Sequence, residues 1–154
     1  MKVWLVQHAE AKSKEADPQR SLSEKGLADI KKVADYVGKF SALRVESILH
    51  SGKTRARQTA EVLAQRLRPP KGVKETDGLE PLADPEVWVK RLAQATEDLM
   101  LVGHLPHLSK LSARLLGGVK GKEIINFQMG GIVCLVKDEE GNWAIEWMLI
   151  PQIL

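Results

Sequence analysis

Two histidines and two arginines stand where this chain can gather chemistry. The apolar run Val3-Trp4-Leu5-Val6 ends in Gln7-His8, and the run Leu99-Met100-Leu101-Val102 ends in Gly103-His104. Arg20 lies in the loop after the first run, and Arg55 opens the helical segment that follows Ser51. Short apolar runs of this kind read as strands buried on both faces. Open α/β sheets bind their ligands at the carboxyl ends of such strands. All four side chains are therefore expected to converge on one pocket. Each alone is weak, since short motifs recur by chance and an arginine at a helix start opposes the helix dipole. Together, each at the same sheet edge, they are much stronger.

The chemistry that suits this set is phosphoryl transfer through a histidine. A phosphomonoester carries close to two negative charges at neutral pH. Arginine holds such oxygens in a planar, bidentate way and keeps its proton. A neutral imidazole nitrogen can attack phosphorus, provided the other ring nitrogen keeps its proton and donates it to a fixed acceptor. A second histidine, protonated, can stabilise the oxygens as charge shifts in the transition state. This route calls for no metal and no cofactor. His8, His50, His104 and His107 show no zinc-like spacing.

These residues need elements to position them. A polar stretch, Lys12 to Gln19, with the turn signal Asp17-Pro18, reads as a loop. Ser23 is the expected N-cap of a helix whose apolar face is Leu27, Ile30, Val33, Ala34 and Val37, with Gly38 as its stop. Arg44–His50 reads as a second strand. A helix follows from Thr54 to Arg68, with Ala56, Thr59, Ala60, Leu63 and Leu67 inward and Pro69-Pro70 as its end. Gly72–Thr76 is a short third strand, and Gly78–Pro85 a loop in which Asp84 caps a helix bearing Val87, Trp88, Leu92 and Ala95. Asp98–Val102 is the strand before His104. Pro106 starts a helix with Leu108, Leu111, Leu115 and Leu116 inward and Gly117-Gly118 as its stop. Gly130–Lys137 and Asn142–Ile150 flank a turn and read as a hairpin, with Trp143, Ile145, Trp147 and Leu149 sharing one face as core. The alternation predicts one domain over residues 1–154: a three-layer α/β/α sandwich around a mostly parallel sheet, with at least one antiparallel strand from the hairpin.

Composition narrows the function further. The chain has 154 residues and a net charge of +3, too small to argue for nucleic acid and compatible with an anionic substrate if the basic residues converge. The single cysteine, Cys134, sits in an apolar run and reads as a buried structural thiol. No apolar run approaches a membrane span, and the N-terminus lacks a secretory signal pattern. The expectation is a reduced, cytoplasmic, soluble protein with a phosphorylated substrate as its partner and no fixed expectation of oligomeric state.

Four segments carry a resemblance. Leu5-Val6-Gln7-His8-Ala9-Glu10-Ala11 resembles an N-terminal Arg-His-Gly or Arg-His-Ala motif. Arg20-Ser21-Leu22-Ser23-Glu24-Lys25-Gly26 matches R-x-L-[ST]-x-x-G. Ser51–Ala60 matches S-x-x-x-R-A-x-Q-T-A, and Leu101–Pro106 carries V-G-H-x-P. In order and spacing the chain resembles the histidine phosphatase (phosphoglycerate mutase-like) superfamily, and within it the short SixA-type phosphohistidine phosphatases. The resemblance implies a phosphatase that hydrolyses a phosphohistidine protein or a small phosphomonoester without metal. It implies His8 as the phosphorylated nucleophile, Arg55 and Arg20 as phosphate ligands, and His104 as transition-state stabiliser. Glu80 falls where larger members place a general acid. Gln7 takes the place of the family arginine, in a phosphate-binding position. A neutral amide there lacks the ionic fork, and Lys12, Lys53 or Arg57 are the candidates to compensate. That departure leaves two functions open: a phosphatase, and a phosphate- or phosphoprotein-binding module with slow turnover or none.

Overall fold

The computed structural model describes residues 1–40, 43–117 and 122–154. The elements alternate as the periodicity predicts. They are β1 (Lys2–Gln7), α1 (Glu24–Val37), β2 (Ser47–His50), α2 (Thr54–Leu67), β3 (Val73–Glu75), α3 (Glu86–Gln94), β4 (Leu99–Gly103), α4 (His107–Leu115), β5 (Ile132–Lys137) and β6 (Trp143–Leu149). A 3-10 turn, Pro151–Ile153, follows. The six strands form one sheet in the order β3-β2-β4-β1-β5-β6. β1, β4, β2 and β3 run parallel, β5 is antiparallel to β1, and β6 is antiparallel to β5.

β1 is central, and its apolar run explains why. Val3, Trp4, Leu5 and Val6 are all at most 1% exposed, because helices cover both faces of the sheet. Trp4 and Val6 pack on one side with Ile30, Val33 and Val37 of α1 and Ala56, Ala60 and Leu63 of α2. Val3 and Leu5 pack on the other with Trp88 and Leu92 of α3 and Leu108, Leu111 and Leu115 of α4. The result is a three-layer α/β/α sandwich. From β1 the chain moves outward through α1 to β2 and through α2 to β3, then returns through α3 to β4. Reversing direction while keeping right-handed crossovers puts α3 on the opposite face from α1 and α2. β1 and β4 are thus neighbours at the switch point where such sheets bind ligands.

Local signals account for most boundaries. The Ser23 side chain accepts from the Gly26 amide and caps α1. Asp84 accepts from the Glu86 amide at the start of α3. Arg68 ends α2 in the left-handed region just before Pro69-Pro70. Strand ends trim inward: β2 spans Ser47–His50 rather than Arg44–His50, because the Glu46 amide bonds Asp98 O outside any strand. Helix α3 stops at Gln94, with Ala95 extended. Gly117 follows α4 with φ of +68°, while Gly118 lies outside the described residues.

Two expected faces are corrected. Leu27 is 38% exposed, and Gly26 takes its place inward. A Cβ on Gly26 would lie 2.0 Å from the Glu10 carbonyl oxygen, so glycine is what allows α1 to start against the loop that follows β1. The four hairpin residues do not share a face. The β5–β6 register shifts at Cys134/Leu135: Cys134 faces Trp147 and Leu135 faces Ile145, leaving Glu146 as the extra residue. A bulge of one residue flips everything beyond it. Trp147 and Leu149 therefore pack with α1 and α2, Trp143 packs on the α3–α4 side, and Ile145 is 44% exposed.

Candidate active site

His8 is the first residue past β1, and its place is fixed by the sheet. Gln7 pairs in register with Gly103, and the His8 amide donates to the Gly103 carbonyl at 3.0 Å. His104 follows Gly103 directly. Two residues 96 apart in sequence thus leave adjacent strands side by side, with ring centroids 5.1 Å apart.

The His8 ring has a defined tautomer. Its Nδ1 lies 2.7 Å from the Ala9 carbonyl oxygen. A carbonyl only accepts, so Nδ1 carries the proton and Nε2 carries the lone pair; the assignment rests on this hydrogen bond. Arg55 Nε–H donates to Nε2 at 3.3 Å. Burial is the main cause that pushes the His8 pKa down to about 4, the charges of Arg55 and Arg20 add to it, and the Ala9 carbonyl opposes it. At neutral pH the residue presents an uncharged, half-enclosed nucleophilic nitrogen.

Arg55 stands in the first turn of α2. No side chain caps this helix and no acidic residue occupies its first turn. A helix start left this way offers positive potential to an anion. Burial and the charge of Arg20 hold Arg55 below the usual arginine pKa. Neither arginine pairs with a carboxylate among the described residues; Arg20 Nε donates instead to the Lys12 carbonyl at 3.1 Å. Arg20 has φ of +52°, a region that side chains other than glycine rarely enter. It is held there by Asp17, whose carbonyl accepts from the Arg20 amide and whose carboxylate accepts from Gln19 and Ser21. Strain over-determined by a hydrogen-bonded loop is found most often at functional positions.

His104 is 1% exposed, and its Nε2 lies 2.6 Å from Ser51 Oγ. Nδ1 has no partner among the described residues. Burial first, then the nearby charge of His8, Arg55, Lys53 and His107, pushes its pKa down to about 3. The ring is neutral in the free protein, and a dianion beside it would draw a proton onto it.

Gln7 and Glu80 are placed differently. The Gln7 carbonyl accepts from the Gly130 amide, while its side-chain Oε1 is buried with no partner among the described residues. Glu80 Oε2 accepts from the Gly78 amide of its own loop and bonds neither His8 nor His104. Its charge acts on His107, on the α4 side. Of the basic residues expected to compensate for Gln7, Arg57 pairs with Glu61 on the outer face of α2, whereas Lys53 acts on His104. Cys134 is buried, its Sγ–H donates to Glu146, and its pKa is pushed up to about 12, chiefly by burial. No three His, Cys, Asp or Glu among the described residues group as a metal site would require.

Sequence reasoning gave no role to three motif residues that the structure ties to the site. Ser51 holds His104, Gln58 Oε1 accepts from the Leu22 amide, and Thr59 joins Ala9 to α2. All three stand in the Ser51–Ala60 segment. The signal was polar residues at inward positions, Ser51 in the turn before α2 and Thr59 on its buried face.

The profile of the histidine phosphatase superfamily (branch 1) matches residues 3–82. Phosphohistidine phosphatase SixA of Escherichia coli (strain K12) is 26% identical over 156 residues, covering 98% of this chain and 94% of SixA. An uncharacterized protein of Picosynechococcus sp. is 36% identical over 124 residues, 77% of this chain and 73% of its own. Among solved structures, the protein histidine phosphatase SixA complexed with tungstate superposes with a TM-score of 0.86 at 25% identity over 99% of both chains. The alpha-ribazole phosphatase from Shigella flexneri has the same fold, with a TM-score of 0.73 at 16% identity over 98% of this chain and 97% of its own. With residues 3–82 matched by the family profile and the SixA likenesses running the length of the chain, this protein belongs to branch 1 of the histidine phosphatase superfamily and is a hydrolase of the SixA-like kind.

Proposed function

We propose that this protein hydrolyses phosphohistidine on a partner protein through a phosphoenzyme at His8. The observation that carries the reading is the His8 ring: Nδ1–H is held by a carbonyl while Nε2, lone pair available, faces Arg55. Nε2 attacks phosphorus in line, the P–N bond to the substrate imidazole breaks, and that imidazole leaves after taking a proton. Water then hydrolyses the N–P bond on His8 and releases phosphate. Arg55 and Arg20 hold the phosphoryl oxygens, and the amide of Gln7 donates to one of them. His104 takes up a proton as the dianion binds and steadies the oxygens as charge shifts. Glu80 is the proton donor when the leaving group is an alkoxide; a phosphoramidate leaving group takes its proton from water. The full-length likeness to SixA supports phosphohistidine as the substrate class. Residues 1–154 act as one cytoplasmic domain, as the sequence patterns lead us to expect. No described helix is long and apolar enough to cross a membrane.

The missing guanidinium at position 7 favours slow turnover as the second reading. One experiment separates the two. The protein is incubated with a phosphohistidine-bearing protein and with p-nitrophenyl phosphate, then quenched in alkali to keep any N–P bond. The expected result is an acid-labile phosphoenzyme mapping to His8, lost in His8→Ala together with activity. Full activity in His8→Ala refutes the mechanism, and phosphate binding without turnover establishes the binding module.

A further inference from the structure

Four hydrogen bonds close a circuit through the nucleophile. His8 Nδ1–H donates to the Ala9 carbonyl at 2.7 Å, and the Ala9 N–H donates to Thr59 Oγ1 at 3.0 Å. The Thr59 hydroxyl donates to the Arg55 carbonyl at 2.7 Å, and Arg55 Nε–H donates to His8 Nε2 at 3.3 Å. Thr59 and Ala9 are both 0% exposed, so water does not compete for these groups. A helical threonine that bonds the carbonyl four residues back is common and local. The bond to Ala9, across 50 residues of sequence, is not. The single hydroxyl proton is spent on Arg55, so the oxygen faces Ala9 only as an acceptor.

We propose that Thr59 is a positioning residue whose hydroxyl holds the Ala9 N–H, restrains the backbone at Ala9, and thereby keeps the Ala9 carbonyl on His8 so that the ring stays in the Nδ1–H tautomer with Nε2 turned to Arg55. The inference rests on the reading of His8 as nucleophile. The Ala9 N–H belongs to the His8–Ala9 peptide plane and the Ala9 C=O to the Ala9–Glu10 plane; the two planes join at the buried Ala9 Cα, so fixing the first restrains where the second carbonyl points. Releasing the N–H frees the backbone to turn about Ala9 and takes its carbonyl away from Nδ1. The ring can then adopt the Nε2–H form, which has no lone pair on the nitrogen that faces the phosphoryl group. Because the same hydroxyl is anchored on Arg55, it also keeps the nucleophile and the phosphate ligand in one frame, the kind of supporting shell a catalytic constellation needs.

The test compares wild type, Thr59→Val and Thr59→Ser in the full chain. Long-range proton–nitrogen correlation at pH 7 reads the His8 tautomer, and turnover is measured on the phosphohistidine protein beside affinity for inorganic phosphate. Wild type and Thr59→Ser should show the Nδ1–H form alone. Thr59→Val should gain the Nε2–H form and lose about tenfold or more in kcat, while phosphate affinity changes by less than about threefold. A Thr59→Val protein that keeps only the Nδ1–H form, or turns over within twofold of wild type, overturns the proposal. So does Thr59→Ser if it shows the Nε2–H form, which decides the matter even when the valine variant does not fold. A wild type without turnover refutes the phosphatase reading instead, and the tautomer comparison still judges Thr59.

Discussion

Acid should loosen this protein through its histidines before its carboxylates titrate. In the unfolded chain His8 and His104 bind a proton near pH 6.5; in the folded chain they do so only near about 4 and about 3. Between those values the unfolded state holds more protons, so stability rises with pH. The contribution is complete above 6.5 and is lost as pH falls toward the folded values. At pH 4.5 each histidine has given up about 2–3 kcal/mol, from about two pH units between its unfolded and folded values. Together that is about 5 kcal/mol, comparable to the whole stability of many domains. His50 and His107 are also lowered by burial and push the same way. Urea unfolding followed by tryptophan fluorescence at pH 7.5 and pH 4.5 measures the loss. His8→Asn, which removes one titrating ring, should shrink the difference by about half. Equal stability at the two pH values, or a ring titration midpoint near 6.5 for either histidine, would refute the claim that both rings rest neutral in the site.

Gln7→Arg should raise kcat/KM by about tenfold or more, equivalent to about 1.4 kcal/mol of transition-state stabilisation, if the site is short of a phosphate ligand; steady-state assay on the phosphohistidine protein decides, and no gain means that another group already fills the role. Gly26→Ala should destabilise by about 1–3 kcal/mol, because the new Cβ meets the Glu10 carbonyl at 2.0 Å; calorimetry should show a drop in Tm, and an unchanged Tm would mean that the loop gives way freely. Lys137→Met should cost about 1–2 kcal/mol in urea unfolding, since Lys137 Nζ donates to the carbonyls of Leu92, Ala93 and Ala95 at the end of α3.

The residues that a strand end exposes were legible in the sequence, and those that a distant partner defines were not. A four-residue apolar run reads as a fully buried strand, which puts the histidine after it at the sheet edge, and both His8 and His104 stand there. Ser23 announced its helix by its position before the periodic residues. Period, however, says nothing of a one-residue bulge, and the extra Glu146 moved Trp143 to the opposite face from Trp147. Nor does it say that the first turn of α1 must press on a loop backbone, which turned Gly26 in and Leu27 out. Thr59 reads from its spacing as an inward helix residue, and it is one. Its two bonds to Ala9 and Arg55 come from the docking of α2 against the loop after β1, which no local pattern encodes.

The same pairing explains why so much of the chain is needed for so small a site. His8 and His104 become neighbours only through the β1–β4 ladder, which runs from Val3–Leu99 to Gln7–Gly103 and is anchored at its far end by the Lys2 amide on the Asp98 carboxylate at 2.7 Å. Arg55 reaches His8 only because α2 docks on the same face of that ladder as α1. Three elements thus set three functional groups, and two of those settings meet at Ala9, one on its N–H and one on its carbonyl. A change that slips β1 against β4 by one residue would move His8 to the other face of the sheet and away from Arg55. In the free protein two neutral rings lie beside Arg55, and neither Arg55 nor Arg20 pairs with a carboxylate among the described residues.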